Sequence, residues 1–251
     1  MTDITVITPI PEHPNYEWLE TVGTITSLNE CDVEWKVVCT EAETHRVREA
    51  LPDDMPISFT VVDTTKNVAR ARNHALREAK GKYVMQFDSD DTPLDGGLDL
   101  LFKACEETGL VWSGGRAQDF WEPGDEPKFT FPDEWYDDIG DVIPVGYTTE
   151  ARRFSLAYDP EHFPAGVSTV HPSSAIVRTD VALEVGGWDE HLARVMDDYS
   201  FIAKVNKHHE GAWTNTVTFL YRLHGTSITA KKKTQEEWDE INDYLVLLED
   251  A

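Results

Sequence analysis

The feature that most constrains this chain is the alternation of short β-rich runs with helical segments through its first half. Residues 4–8 (ITVIT) form a β-branched run closed by a proline-rich loop, Pro9 to Pro14, and residues 16–28 follow with helical spacing, Trp18, Val22 and Ile25 sharing one face. A second strand is predicted over 34–40 (EWKVVCT) and a third over 57–62 (ISFTVV). The clearest helix spans 68–80, with Val68, Ala71, Ala75, Leu76 and Ala79 on one stripe and Gly81 as its stop. Residues 83–87 (YVMQF) then make a fourth strand, followed by a helix over about 95–107 and a strand over 110–114. Strands alternating with helices predict an α/β fold, a mainly parallel sheet with helices on both faces.

The regular signal fades from Phe120 to Gly166, a stretch rich in Pro, Gly, Asp and aromatics that reads as long loops of the kind that serve as lids or binding loops. Order returns with a strand at 173–177, a short helix capped by Thr179 or Asp180, a Gly186-Gly187-Trp188-Asp189-Glu190 turn, a helix over 198–208 and a strand over 217–223. A polar segment with Lys231-Lys232-Lys233 leads to a last helix, 235–248, whose stripe of Trp238, Ile241, Leu245 and Leu248 suits packing on its own domain or a homodimer contact. The expected organisation is one domain over 1–251, divided into 1–118, 119–230 and a C-terminal loop and helix, 231–251.

Composition narrows the functional classes. The formal net charge of −25 repels phosphate backbones, so direct nucleic-acid binding is not expected, and it also disfavours anionic membrane surfaces. Solubility, a salty environment or a role toward the acceptor would each explain that charge. No run of 18 apolar residues occurs, so no membrane span is expected, and residues 1–8 lack a basic leader with a cleavage site. Three cysteines without CxxC spacing read as reduced thiols, which fits a cytoplasmic location.

The strongest local signal for chemistry is Asp88-Ser89-Asp90-Asp91 at the C-terminal end of a predicted strand. Ligands of parallel α/β sheets collect at that end. Three crowded aspartates repel one another, and Mg²⁺ or Mn²⁺ takes one or two carboxylates together with phosphate oxygens. A turn or helix cap would use the same residue types.

The context of that cluster is more specific. Residues 65–91, TKNVARARNHALREAKGKYVMQFDSDD, resemble the donor-binding segment of family 2 glycosyltransferases of the GT-A fold, where an Ala-Arg-Asn helix start, an Ala-x-Gly turn and a strand precede Asp-x-Asp. The resemblance implies that Asp88 lies near ribose and metal, that Asp90 ligates the metal, and that Asn67, Arg72 and Ser89 belong to the nucleotide-sugar site. Residues 173–201 are similar to the family's acceptor-side segment, a Gly-Gly-Phe-Asp-Glu turn before an acidic pair. Gly187, Trp188, Asp189 and Asp197 are thereby implied on the acceptor side, with Trp188 stacking on a sugar ring, and Asp198 as the catalytic base. Asp197 or Asp198 could also simply stabilise the helix dipole.

Tyr221 to Ser227 is similar to the family's Arg-x-His-x-x-Ser segment, which implies His224 as a third metal ligand beside Asp88 and Asp90. Pro9 stands where the first strand-end loop meets the nucleotide base, and Glu41 follows the second strand where Asp is usual. The resemblance implies an inverting hexosyltransferase-type enzyme that uses Mn²⁺ or Mg²⁺ to move a sugar from a nucleotide-sugar donor, a UDP-sugar foremost, to the hydroxyl of a glycan, protein or small molecule. Two other readings are a sugar nucleotidyltransferase and a carbohydrate-binding protein that has lost catalysis. The first usually has a Gly-rich loop after its first strand, whereas residues 9–14 here are Pro-Ile-Pro-Glu-His-Pro.

Overall fold

The structure, a computed structural model, describes residues 2–11, 14–62, 67–121, 171–192 and 197–224. In chain order the elements are β1 (Ile4–Pro9), α1 (Tyr16–Gly23), β2 (Val33–Cys39), α2 (Glu41–Ala50), β3 (Ile57–Val61), α3 (Val68–Arg77), β4 (Tyr83–Gln86), β5 (Thr92–Pro93), α4 (Gly97–Thr108), β6 (Trp112–Phe120), β7 (Ala175–Arg178), α5 (Thr179–Glu184), α6 (Asp197–His208) and β8 (Gly211–Arg222). The strands join in one sheet in the order β3-β2-β1-β4-β7-β6-β8-β5. The first four are mutually parallel, as expected. Beyond β4 the sheet is mixed: β7 runs antiparallel to both β4 and β6, β6 runs parallel to β8, and β5 is antiparallel to β8.

Alternation along the strands builds the two cores. Ile4 and Val6 of β1 join the cluster that holds Leu19 and Val22 of α1, Val47 of α2 and Leu101 of α4. Ile7 faces the other way, into a cluster with Ala69, Ala75 and Leu76 of α3, Val181 of α5 and Phe201 of α6. Side chains of successive strand residues point to opposite faces, so one apolar strand feeds both layers and helices cover both.

Several boundaries differ from the sequence reading for local physical reasons. The helix from residue 16 ends at Gly23 and tightens into a 3-10 turn, Thr24–Thr26. Asn15 caps its start by accepting hydrogen bonds from the Glu17 and Trp18 amides. Helix α2 was absent from the sequence reading because only Val47 is buried along it; a capping box between Thr40 and Glu43 defines its start instead. Helix α3 stops at Arg77, short of Gly81. Gly81 serves a different purpose, since a Cβ there would collide with backbone of Ile4, Thr5 and Tyr83. Strands β6 and β8 are longer than expected because they pair along most of their length, with a bulge between Gly114 and Ala117.

Asn73 of α3 ties the first half of the chain to the second. Its amide donates to the Trp188 carbonyl at 2.8 Å and accepts from the Trp188 amide at 2.9 Å. Gly187 must precede that residue: its φ is +67°, and a Cβ would strike the Asn73 side chain. Removing the Asn73 amide orphans two buried backbone groups of Trp188. Asn73→Ala is expected to lower stability by about 2–3 kcal/mol, read as a reduced urea midpoint at unchanged slope.

Candidate active site

Strands β1, β2 and β4 are parallel and in register, so their C-terminal ends lie along one edge of the sheet. Pro9 ends β1 there, Glu41 opens α2 directly after β2, and Asp88 to Asp91 follow β4. Glu41 is exposed at the helix start. The four-residue acidic run divides by burial. Asp88, Ser89 and Asp90 are partly exposed, whereas Asp91 is fully buried. Burial, reinforced by Asp90 and Asp88, raises the Asp91 carboxyl well above the ordinary range.

Arg72 organises the site. Its guanidinium is 4% exposed and donates to Asp88 Oδ1 at 2.7 Å and to Asp197 Oδ2 at 2.8 Å. Its charged face is thus engaged by two carboxylates within the protein. Burial opposes its charge, but Asp88 and Asp197 more than offset that and hold it firmly protonated. Asp197 is likewise buried, with a side chain 6% exposed, and takes the Arg72 bond on the first residue of α6. Asp198 follows it in a helical turn and accepts from the Tyr199 amide at 2.8 Å. Loss of solvent, then the Asp197 charge, raises the Asp198 carboxyl to about 7, with Arg72 opposing and Asp88 adding to the rise. Asp88 itself is raised, first by loss of solvent and then by Asp90, against the pull of Arg72, although a third of its side chain still meets water.

Asp90 meets a second group of residues from the far end of the chain. Its Oδ2 lies 2.8 Å from His224 Nε2, and its carbonyl accepts from Arg222 Nε at 2.8 Å. Arg222 is only 2% exposed, with its guanidinium over the rings of Trp18 and Phe120. Arg222 is the arginine of the Arg-x-His-x-x-Ser segment, whereas Trp18 carried no local sequence signal that linked it to this site. Trp18 is found only once α1 lies beside β5 and the end of β8. His171 is a further buried member, stacked on Phe219 and Tyr221, and burial lowers its pKa to about 3, so its ring is neutral.

The acceptor-side turn is built differently from the expectation. Trp188 is 1% exposed, stacks on Phe201 with ring centroids 4.4 Å apart, and donates its indole N–H to Gln86. It therefore offers no face to a sugar, and the aromatic in this turn is a core residue. The Gly187 carbonyl accepts from Lys204, and Asp189 Oδ1 accepts from the His191 amide. Asn67 caps α3 by accepting from the Arg70 amide, and its side-chain N–H₂ donates to the Glu190 carbonyl. Residues 122–166 of the long loop, the lysines at 231–233 and the last predicted helix, 235–248, lie outside the described residues.

Oxygen and imidazole donors of this kind suit a divalent cation. Two donors on one octahedral Mg²⁺, each at about 2.1 Å, stand roughly 3 Å apart, close to the Asp90–His224 separation. Asp90 is partly open to solvent and Asp88 stands beside it. No group of three or more such ligands closes into a cage among the described residues. A partial protein shell that leaves positions for phosphate oxygens is what these residues provide, and they fit such an ion.

Comparisons with known proteins show the family and the fold. Residues 25–182, more than half of the chain, match the family model described as glycosyl transferase family 2. A stretch of 87 residues is 34% identical to the uncharacterized glycosyltransferase YfnE of Bacillus subtilis (strain 168), covering 32% of this chain and 22% of that relative. The crystal structure of S. aureus TarS 1-349 superposes with a TM-score of 0.65 at 15% identity, over 98% of this chain and 65% of that one. TarS 1-349 in complex with UDP-GlcNAc gives a TM-score of 0.66 at 16% identity, over 98% and 66%. The chain thus spans less than two thirds of each of these relatives.

Replacing Arg72 by Leu removes the cation that faces buried Asp197 and Asp88, which is expected to destabilise the protein by about 3–5 kcal/mol at neutral pH. Carboxylates that have lost a buried cation are costly only while ionised, so the loss shrinks as pH falls. Urea unfolding of both proteins at pH 7.5 and 5 measures that difference.

Proposed function

The chain belongs to glycosyl transferase family 2 and has the α/β fold of GT-A-like structures such as TarS, and from that premise we propose that it transfers a sugar from a nucleotide-diphosphate sugar to an acceptor hydroxyl with inversion. The observation that carries this reading is convergence. Asp88 and Asp90, at the sheet edge where nucleotides bind, share one charged cluster with Asp197 and Asp198, more than a hundred residues away. A donor handled at the first pair has a base within the same cluster for the second substrate. The UDP-GlcNAc complex of TarS supports a UDP-sugar as the donor class.

In this reading Asp198 removes the proton from the acceptor hydroxyl. The acceptor oxygen bonds to the anomeric carbon from the face opposite the nucleotide, and the bond from that carbon to the diphosphate breaks with its electron pair leaving on the diphosphate. One displacement inverts the anomeric centre. Asp198 suits the task because its raised pKa makes it a stronger base than an ordinary carboxylate, and its hydrogen bond to the α6 backbone fixes its direction. Arg72 fixes Asp197 and Asp88 in place by donating to both. Asp90 and His224, with Asp88 beside them, would hold Mn²⁺ or Mg²⁺, which when bound supplies Lewis-acid stabilisation of the charge gained by the diphosphate. Residues 1–118 would serve the donor and 119–230 the acceptor within one catalytic unit. The three cysteines are free thiols, which suits the reducing cytoplasm, and no helix among the described residues is long and apolar enough to cross a membrane.

Asp198→Asn is expected to lose turnover by about 10²–10⁴-fold while thermal shifts with nucleotide sugars persist. Full turnover in that variant removes Asp198 from the chemistry. A base must be unprotonated to act, so the wild-type rate falls on the acid side of about pH 7. A cation in the site favours the ionised form of Asp198, whereas donor phosphates and desolvation oppose it, and a pH–rate profile reads the midpoint of the acid limb directly. Release of nucleoside diphosphate in Mn²⁺, and its loss in chelator, separates this enzyme from a binding protein of the same fold.

A further inference from the structure

We propose that Trp18, in the first turn of α1, is a positioning residue that holds Asp90 and His224 together as a cation-binding pair; the inference rests on the metal-dependent reading above. One indole packs on both residues that grip Asp90. The Arg222 guanidinium lies 4.7 Å from the Trp18 ring on one side and 4.5 Å from the Phe120 ring on the other, while its Nε holds the Asp90 carbonyl and its amide donates to Asp91 Oδ1 at 3.2 Å. Two residues on, the His224 ring lies 4.8 Å from Trp18 with the planes 58° apart, and its Nε2 meets the Asp90 carboxylate. Arg222 thus fixes the backbone of Asp90, His224 meets its side chain, and Trp18 limits the movement of both.

Trp18 can serve this purpose because α1 is itself anchored. Asn15 caps the helix at the Trp18 amide, and Leu19 and Val22 are buried in the core beneath the sheet. An imidazole just past a strand end would otherwise sample several rotamers, and ordering it only when the cation arrives would weaken binding. Holding it in advance removes that cost. A space-filling role predicts something different: loss of Trp18 would lower stability and leave cation affinity in the folded protein unchanged.

The test is Mn²⁺ titration of the full chain, with and without saturating UDP, following the EPR signal of free Mn²⁺. Wild type is compared with Trp18→Leu and Trp18→Phe, each checked by thermal melting so that only folded protein is counted. Trp18→Leu keeps apolar bulk and loses the ring. It is expected to weaken Mn²⁺ binding on the order of 3- to 10-fold, the size of one such ring interaction, while Trp18→Phe restores most of it. Wild-type affinity in folded Trp18→Leu overturns the positioning role and leaves the metal reading standing. Absence of Mn²⁺ binding in the wild type, with and without UDP, overturns the metal reading and this inference with it.

Discussion

A buried guanidinium between two carboxylates is the constraint on which the rest of the site depends. Arg72 cannot sit at 4% exposure without partners, and its partners, Asp88 and Asp197, come from segments that no local contact would bring together. The bridge fixes the end of β4 relative to the start of α6. Asn73, the next residue, grips the Trp188 backbone, so adjacent side chains of α3 hold the acceptor-side segment at two points. Helix α3 therefore acts as a brace between β4 and the acceptor-side segment, and the short Ala-Arg-Asn sequence is what makes it one.

Much of this was legible in the sequence, and the parts that were not share a cause. Strand–helix alternation, the acidic run after β4 and the acidic pair at the start of α6 are local patterns, and they led to the right elements. The partners of Arg72 were not legible, because a guanidinium that faces solvent and one that bridges two carboxylates have the same neighbours in sequence. Trp188 was misjudged for a related reason. An aromatic in a glycine turn reads as exposed, yet Gln86 and Phe201, both distant in the chain, bury and satisfy it. Helix α2 lacked a stripe because the sheet edge it covers needs little more than Val47. Strand β8 was read short because its first residues gain their pairing from β6, on the far side of a long intervening segment.

The electrostatics of the site follow from crowding negative groups where few cations reach. Asp88, Asp91 and Asp198 are all pushed upward by loss of solvent and by neighbouring aspartates, and Arg72 offsets only part of that at Asp88 and Asp198. Each departs from ordinary carboxylate behaviour in a different way. Asp91 is sealed from solvent, Asp88 is held by Arg72, and Asp198 is raised to about 7. A single cluster thereby holds carboxyl groups with distinct tasks, set by what surrounds each.

The grip on Asp90 by residues 222 and 224 carries an evolutionary consequence. Side chains along an extended chain swap faces at every step, so positions two apart share a side. Inserting or deleting one residue just upstream of Arg222, inside β8, would turn that pair away from Asp90 unless a bulge absorbed the change. Length variation in that strand among descendants should accordingly come in even steps, while odd ones are filtered out.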